Sequence, residues 1–408
     1  MRVGIVINRF DPQIGGAELW THRYAHWLLE QDCEVHVIAR SFATSSATRR
    51  LFHVPLANVR SRLKFATLAA EAAKKLSLDV VHDMGVGYAA DIIHPHGGLS
   101  AAVQQRSLAS SSGFWRSARQ WTSRWSRRRR EMAEIVRRQV EHPSALLVAV
   151  SQMVANDFSQ VANFPKHRLR VIHNGVDLPR YQSHTQSRSK MRASLGIGDN
   201  EVLLVFVGNN FKLKGLATLL QATSKLARQG LPVKLCVIGR DRVEVWRRHS
   251  GQLQIADRVS FHTDVIDVAP FYAAGDIFAL PSFYDSCSLS VLEAMAAGLP
   301  VVTSSTNGAA ELLSDGENGF ILPSASDPVE LGRQLELLVS SRQLRQTIAL
   351  RGTQTIQSQS QCDNFRQVFA LYSEVLKSGK TSSGLGHRPL ERSASTGICR
   401  PQNQQRIA

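Results

Sequence analysis

The sequence contains no hydrophobic stretch that approaches the roughly 20 apolar residues of a membrane-spanning helix. The apolar run near its beginning, residues 3–7, is followed at once by polar residues and is too short for the core of a signal peptide. From these two absences we expect a soluble or peripheral protein.

Cysteine is scarce, and the five cysteines are scattered along the chain without a CxxC pair. Their odd number argues against a disulfide framework, and their spacing argues against a zinc site. This pattern is typical of a protein in a reducing cytoplasm, and we expect no bound metal.

Acidic side chains are too few to balance the basic ones. The chain has 33 Asp and Glu residues against 49 Lys and Arg residues, which gives a formal net charge of +16. Such an excess predicts an anionic partner, which could be nucleic acid, a phosphate-bearing ligand or an acidic membrane surface. The charge alone does not choose among them.

The 408 residues exceed what one hydrophobic core usually serves, so two domains are expected. Short apolar runs alternate with longer amphipathic segments, which is typical of parallel strands covered by helices on both faces. The runs predicted as strands are 2–8, 34–40, 79–83, 91–97, 146–151, 201–208, 233–239, 258–262, 276–282, 299–304 and 319–323. The pattern predicts an α/β fold of two doubly wound, Rossmann-like domains that face a cleft.

A polar stretch at 182–190 and the turn-rich connector before it, at 169–181, separate the two sets of strands. We expect a first domain at residues 1–172, a linker at 173–190 and a second domain at 191–360. A terminal helix at 361–377 is expected to pack back on the first domain. The Ser-rich, basic tail at 378–408 has little to bury and is predicted to be disordered.

Two loops that follow strands carry the residue types of a phosphate site. Gly15 and Gly16 lie between a strand and a helix, where glycine lets backbone amides approach an anion and the helix N-terminus adds positive charge. Lys212 and Lys214 lie in a loop that leads through Gly215 into another helix. Neither loop matches GxGxxG or a P-loop. Taken alone, each is either an anion site or an ordinary surface turn.

A third segment, "DSCSLSVLEAMAAGLPVV", begins after the strand predicted at 276–282. Glu293 lies about two helical turns beyond Asp285, so the two carboxylates could address opposite ends of one extended ligand. A structural explanation is also open, in which Asp285 caps the helix and Glu293 pairs with a neighbouring cation.

These motifs, in this order, resemble those of GT-B glycosyltransferases of family 4. The resemblance rests on the glycine pair, "HNGVD" at 173–177, "KGLATLL" at 214–220 and the dense match through "EAMAAGLPVV" at 293–302, and it covers about residues 1–375. The first domain looks most like the lipopolysaccharide core glucosyltransferases that extend heptose. The resemblance implies a retaining transfer of a hexose from a nucleotide sugar, with UDP-glucose or a similar donor as the expectation, and without a required metal.

The resemblance also implies roles for individual residues. Lys214 matches the lysine that holds the donor diphosphate, and Glu293 matches the glutamate that binds the ribose hydroxyls. We take His96, in "HPHGG", together with Lys214 and Asp285 as the catalytic residues near the donor sugar. The other implied donor contacts are Gly15, Gly16, Lys212, Gly239, Arg240, Ser288 and Leu289.

The sequence departs from the family pattern at two positions. Asp285 stands where the family has a glutamate, and it is one methylene shorter. Asn209 and Asn210 stand where an arginine often follows the first glycine of the lysine loop. The first departure puts the sugar contact in question, and Lys212 is a candidate to supply the missing charge.

A stripe at residues 114–141 combines nine arginines with three tryptophans. The membrane or acceptor patch within it comprises Trp121, Arg124, Trp125, Arg127, Arg128, Arg129 and Arg130. Arginine and tryptophan at helical spacing suit an interfacial helix on anionic lipid, whereas the same composition could bind RNA or dock on the first domain. The resemblance favours the inner face of the cytoplasmic membrane.

Three functions follow from the sequence in order of preference. The first is a glycosyltransferase acting on a membrane-associated glycolipid or lipopolysaccharide-type acceptor, with no nucleic acid as partner. The second is an enzyme of the same fold with a soluble acceptor, for which the stripe has no evident purpose. The third is a catalytically inactive protein that binds nucleic acid.

Overall fold

The computed structural model describes residues 1–43, 49–109, 126–182 and 187–380. Trp121, Arg124, Trp125 and the predicted tail from residue 381 onward lie outside these residues. Among the described residues, no helix is long and apolar enough to cross a membrane.

The first domain is built on a parallel sheet with the strand order β5-β3-β1-β6-β7-β8-β9. Its strands and the short pair β2 and β4 beside it are β1 (Arg2–Val6), β2 (Arg9–Phe10), β3 (Glu34–Ala39), β4 (Ser41–Phe42), β5 (Leu51–Pro55), β6 (Val80–Asp83), β7 (Ile92–Ile93), β8 (Leu146–Ala149) and β9 (Leu169–Val171). Its helices are α1 (Gly16–Glu30), α2 (Arg62–Lys75), α3 (Ser100–Ala109), α4 (Arg127–Glu141) and α5 (Gln152–Val161).

The second domain has a six-stranded parallel sheet with the order β12-β11-β10-β13-β14-β15. Its strands are β10 (Val202–Val207), β11 (Val233–Ile238), β12 (Val259–His262), β13 (Ile277–Leu280), β14 (Val301–Ser304) and β15 (Phe320–Leu322). The helices from the linker onward are α6 (Leu178–Gln182), α7 (Arg188–Ser194), α8 (Leu216–Arg228), α9 (Val243–Gln252), α10 (Ala269–Ala274), α11 (Leu289–Ala296), α12 (Pro328–Ser340), α13 (Arg342–Ile356) and α14 (Gln361–Lys380).

The central strands are almost wholly buried, as parallel strands covered on both faces must be. Strand β10 reads VLLVFV with only its last residue partly exposed, and all four residues of β13 are buried. This confirms the predicted α/β class with two parallel sheets.

Three local predictions differ from the structure. Residues 51–55 form an edge strand, β5, that the sequence analysis missed because its partly exposed, proline-ended pattern lacks a continuous apolar run. Residues 91–97 contain only the two-residue strand β7, since Pro95 cannot donate to a ladder and the chain turns there. Residues 169–171, assigned to a connector, are the last strand of the first sheet.

Helix α14 leaves the second domain and packs on the first. Trp20 donates its indole N–H to Asn364 Oδ1 at 2.8 Å, and the ring of Phe365 lies 5.4 Å from that of Trp20. Further along the helix, the Tyr372 hydroxyl lies 2.9 Å from His82 Nδ1. The two domains are thus tied by the linker and by this returning helix.

Among the described residues, Cys33, Cys236 and Cys287 are buried free thiols.

Candidate active site

The loop after β10 brings Lys214 to the loop after β13. Gly215, with φ of 77°, precedes α8, and a Cβ on it would lie 1.9 Å from the carbonyl oxygen of Pro281. Only glycine allows this approach, which places Lys214 so that its ammonium donates directly to Asp285 Oδ2. The two side chains are 18% and 12% exposed, so the charges meet in a partly dehydrated place.

Asp285 is held by its backbone, and its side chain is not a helix cap. Its amide donates to the carbonyl of Thr306 at 3.1 Å, and its own carbonyl accepts from the amide of Gly308 at 2.8 Å. Ser288 precedes α11, and its amide donates to Asn307 Oδ1 at 3.3 Å. The loop after β14 therefore orients the segment that carries Asp285.

Glu293 has a different partner and points elsewhere. The hydroxyl of Tyr272 donates to Glu293 Oε2 at 2.9 Å, and it also lies 3.3 Å from the carbonyl of Ser290. Because Asp285 pairs with Lys214 and Glu293 with a tyrosine, the two acids do not share a proton.

The glycine pair of the first domain meets α11 of the second. Helix α1 begins at Gly16, and a Cβ on this residue would lie 3.0 Å from Leu289 Cδ1. Asn209 Nδ2 donates to the carbonyl of Ile14 just ahead of the pair at 3.3 Å. Gly16 and Leu289 thus meet across the cleft, and the assignment of Gly15, Gly16 and Leu289 as donor contacts stays a prediction.

The remaining residues of the expected donor set line the ends of neighbouring strands. Gly239 has φ of 140°, and a Cβ there would lie 2.0 Å from the carbonyl oxygen of Gly208. The amide of Arg240 donates to Asn209 Oδ1 at 2.8 Å, and its guanidinium lies 3.5 Å from Asp264 Oδ1. Lys212 is exposed in the same region.

His96 is buried at the junction of the domains. Its carbonyl accepts a hydrogen bond from Ser286 Oγ, next to Asp285, and its ring lies 4.5 Å from that of Trp20. Burial lowers the pKa of His96 to about 3, so its imidazole is neutral at physiological pH. A neutral ring can donate or accept one hydrogen bond near a sugar without adding charge.

His96 belongs to a row of buried histidines. The rings of His94 and His96 lie 4.2 Å apart, and His82 Nε2 lies 3.3 Å from His94 Nδ1. Burial, followed by the nearby His96, lowers the pKa of His82 to about 3, and burial also pulls that of His94 well below its usual value. The row connects the cleft to Tyr372 on the returning helix.

Two contacts that the sequence analysis did not predict join the domains beside this site. The Tyr284 hydroxyl packs on Gly98 and lies 3.4 Å from Asp157 Oδ2, which also pairs with Arg106 at 2.9 Å. In the sequence, only the glycine pair after His96 indicated that another segment could pack closely at this place.

The second contact is made by Glu311, at the end of the loop after β14. Its carboxylate accepts from the backbone amides of Gln152 and Met153, each at 2.7 Å, and from His173 Nε2 at 2.8 Å. The Glu311 side chain therefore caps the N-terminus of α5 from the opposite domain. No local pattern marks this residue.

A cavity of about 1020 Å³ opens in the first domain beside His96. One end is lined by Asn8, Glu18, Gly97 and Gly98, and the helices α3 and α4 form its walls. Of the predicted basic patch, Arg128 and Arg129 line this cavity, while Arg127 pairs with Glu131 at 2.8 Å. Arg130 is exposed on the same helix.

No group of three or more His, Cys, Asp or Glu side chains able to hold a metal occurs within the ranges that the structure describes.

Comparison with known proteins addresses both domains. Residues 14–180 match the model of Glycosyltransferase Family 4, and residues 187–355 match that of Glycosyl transferases group 1. The chain belongs to glycosyltransferase family 4. This confirms the family that the motifs suggested.

Solved structures of the same fold cover nearly the whole chain. WaaG, a glycosyltransferase involved in lipopolysaccharide biosynthesis, superposes with a TM-score of 0.74 at 20% identity, over 94% of this chain and 100% of that one. HepE from Anabaena, in complex with UDP and glucose, superposes with a TM-score of 0.72 at 21% identity, over 91% of this chain and 99% of that one. These likenesses confirm the GT-B fold of this family 4 chain.

Among curated sequences, spore coat protein SA of Bacillus subtilis is 29% identical over 220 residues, which are 50% of this chain and 58% of that protein. The chain spans about half the length of the first curated relatives it matches, with 58%, 50% and 45% covered.

Proposed function

We propose that this family 4 chain is a retaining glycosyltransferase. It transfers a hexose from a nucleotide sugar, with UDP-glucose as first candidate, to a membrane-associated glycolipid or lipopolysaccharide-type acceptor. The observation that carries the proposal is the direct contact between Lys214 and Asp285 beside the start of α11.

Charge development explains why such a site suits the reaction. As the glycosidic bond of the donor stretches, negative charge grows on the leaving diphosphate. Lys214 and the backbone amides at the start of α11 would stabilise that charge more in the transition state than in the ground state. In this scheme Asp285 contacts the donor sugar, Glu293 contacts the ribose, and no metal is required.

The UDP specificity is supported by the resemblance in fold to HepE, whose complex contains UDP and glucose. Retention is proposed because the motifs resemble those of family 4 enzymes, for which the resemblance implies a retaining transfer.

Donor binding can be tested by thermal unfolding with UDP-sugars and GDP-sugars. At one hundred times its dissociation constant, a ligand adds about 2.7 kcal/mol to the free energy of unfolding, a shift that is easily measured. We expect a UDP-sugar to raise the melting temperature of the native chain but not of Lys214→Ala. Lys225→Ala, which removes an exposed lysine from α8, is the matched control. No shift with any nucleotide sugar, or an equal shift in Lys214→Ala, would falsify the donor assignment.

The membrane location, on the inner face of the cytoplasmic membrane, is supported by the exposed run Arg127–Arg130 at the start of α4. Each arginine near an anionic surface contributes about 1 kcal/mol of attraction. Replacing all four by glutamine should therefore abolish co-sedimentation with anionic vesicles. A control with Arg228, Arg248, Arg333 and Arg351 made glutamine has the same net charge and should still sediment. Binding that survives the first change would show that other residues attach the chain to the vesicles, and no binding by the native chain would point to a soluble acceptor.

A further inference from the structure

Three arginines from distant parts of the first domain converge beside the cavity. Arg40 follows β3, and its Nη2 donates to the carbonyl of Ser61 at 3.2 Å, directly before α2. Arg62 is the first residue of α2, and its Nη1 lies 3.8 Å from Met132 Sδ, one turn beyond Arg128 on α4. We call Arg40, Arg62 and Arg128 the arginine cluster.

The carboxylate of Glu131 lies beside the arginine cluster, and both of its oxygens already accept hydrogen bonds. Glu131 Oε1 accepts from Ser61 Oγ at 2.9 Å and from Arg127 Nε at 2.8 Å, and Oε2 accepts from the backbone amide of Arg62 at 2.7 Å. Glu131 therefore forms an ion pair with Arg127, and its charge also attracts Arg40 and Arg62. Across the described ranges of the chain, none of the three cluster guanidinium groups forms an ion pair.

The cluster is electrostatically costly as it stands. Burial, followed by repulsion from Arg128 and Arg40, lowers the pKa of Arg62. Burial likewise lowers the pKa of Arg40, whose Nε is buried without a hydrogen-bond partner among the described residues. Attraction to the Glu131 carboxylate opposes both pKa shifts without outweighing them, and Arg128 is exposed nearby. An anion that reaches these three groups would therefore be attracted by all of them.

The position of the cluster connects it to the candidate active site. Arg128 and Met132 line the cavity whose other end is formed by Asn8, Gly97 and Gly98, next to His96. A volume of about 1020 Å³ exceeds the needs of a single sugar ring. A molecule in the cavity could thus present a hydroxyl near His96 and an anionic group to Arg128.

We propose that Arg40, Arg62 and Arg128 bind a phosphate group carried by the acceptor. Guanidinium groups match the geometry of phosphate oxygens and form the strongest class of charge-assisted hydrogen bond with them. The assignment of this phosphate to an acceptor rests on the proposed function. The phosphate could belong to a lipid headgroup or to a soluble sugar phosphate, and the chemistry recognised by the arginines is the same.

Calorimetric titration with inorganic phosphate tests the site directly. The Lys214→Ala background is used, because it removes the cation expected to bind donor phosphate. The double change Arg62→Gln and Arg128→Gln should weaken phosphate binding about ten-fold or more. Lys75→Gln, which removes an exposed charge from the far end of α2, should change phosphate affinity less than about two-fold. Arg62→Lys retains the charge and should restore part of the affinity, which separates a binding defect from a folding defect.

Two further arms distinguish the source of the phosphate. Glucose 6-phosphate in solution and vesicles that contain phosphatidic acid are compared as ligands of the native chain. Preference for either ligand, lost in the double variant and kept in Lys75→Gln, supports the proposal and identifies the source.

Equal phosphate affinity in the double variant and its parent, or an equal loss in Lys75→Gln, overturns the proposal. Because these titrations contain no donor, they are independent of the UDP-sugar measurements. If a UDP-sugar raises the melting temperature in a way that depends on Lys214, while the phosphate titrations give one of these overturning results, the arginine site is rejected. The donor assignment is then left standing.

Discussion

The ammonium group of Lys214 and the carboxylate of Asp285 are in direct contact, although they are separated by 71 positions in the sequence. They meet because β10 and β13 are neighbours in the second sheet, and each residue lies in the loop that follows one of these strands. A donor diphosphate that binds Lys214 must therefore share or replace the Asp285 carboxylate.

We predict that Asp285→Asn separates stability from donor binding. Removing the carboxylate leaves the ammonium of Lys214 without its charged partner, which should lower the free energy of unfolding by about 1–3 kcal/mol. The shift that UDP produces should be as large as in the native chain or larger, because the diphosphate no longer competes. Hexose transfer should fall if Asp285 contacts the sugar.

The measurements are chemical unfolding, thermal shift with UDP and a transfer assay on the same preparations. Asp257→Asn, a change of equal charge at an exposed position, should leave all three unaltered. A smaller UDP shift in Asp285→Asn than in the native chain would mean that the carboxylate helps to bind the diphosphate end.

Glu311 should contribute to domain closure in a pH-dependent way. Burial opposes ionisation, but hydrogen bonds from His173 and from the amides of Gln152 and Met153 outweigh it and lower the pKa of the Glu311 carboxyl. Because the folded pKa is depressed, the stabilisation is complete above the ordinary value of 4.5 and is lost as pH falls through the lower folded value.

Glu311→Gln should weaken this contact by about 1 kcal/mol at neutral pH. The amides of Gln152 and Met153 should then exchange faster with deuterium, and small-angle scattering should show a larger radius of gyration. Glu317→Gln, at an exposed position nearby, is the control. Unchanged protection of both amides in Glu311→Gln would contradict the proposed cap.

The buried histidine row predicts a loss of stability in mild acid. Burial holds the pKa values of His82 and His96 at about 3, below the ordinary 6.5, so the unfolded chain binds more protons in this interval. The free energy of unfolding should fall as pH drops below 6.5, by roughly 1.4 kcal/mol per pH unit for each histidine.

Urea unfolding at a series of pH values between 7 and 5 measures this slope. His82→Asn keeps a neutral polar group near Tyr372. It should reduce the slope of the free energy of unfolding against pH by the roughly 1.4 kcal/mol per pH unit that one histidine contributes. His167→Asn, at an exposed histidine, should not change it. An unaltered slope in His82→Asn would show that other groups cause the acid sensitivity.

The features that sequence could predict are those with a local signature. Continuous apolar runs such as VLLVFV at β10 marked the parallel sheets, because a strand covered on both faces has no polar side. The ends of those runs located the loops of Lys214 and Asp285. Parallel sheets bring such loops to one edge, so their meeting follows from topology.

The features that sequence could not predict depend on distant partners. Glu311 contacts amides more than 150 positions away, and Arg40 and Arg62 come to Arg128 through the packing of α2 on α4. Nothing in the residues near Glu311 or Arg40 specifies those partners. Strand β5 was not predicted for another reason, because half-exposed edge strands lack a clear apolar pattern.

Two glycines with positive φ should affect different steps of the reaction. At Gly98, φ is +70° and a Cβ would lie 1.9 Å from the Tyr284 hydroxyl, so Gly98→Ala should displace Tyr284 and the neighbouring Asp285 from the first domain. At Gly239, φ is +140° and the clash is with the Gly208 carbonyl at 2.0 Å, within the loops expected to bind donor. We expect Gly98→Ala to lose transfer but keep a UDP shift, and Gly239→Ala to lose both.

Gly196→Ala provides the comparison, because φ there is +65° but nothing lies within 4 Å of the added Cβ. It pays only the backbone cost of about 1–2 kcal/mol and should retain both donor binding and transfer. If Gly98→Ala behaved like Gly196→Ala, the close packing of Tyr284 on Gly98 would have no part in holding Asp285 near His96. If Gly98→Ala lost the UDP shift as well, the contact would support donor binding rather than the alignment of the two domains for transfer.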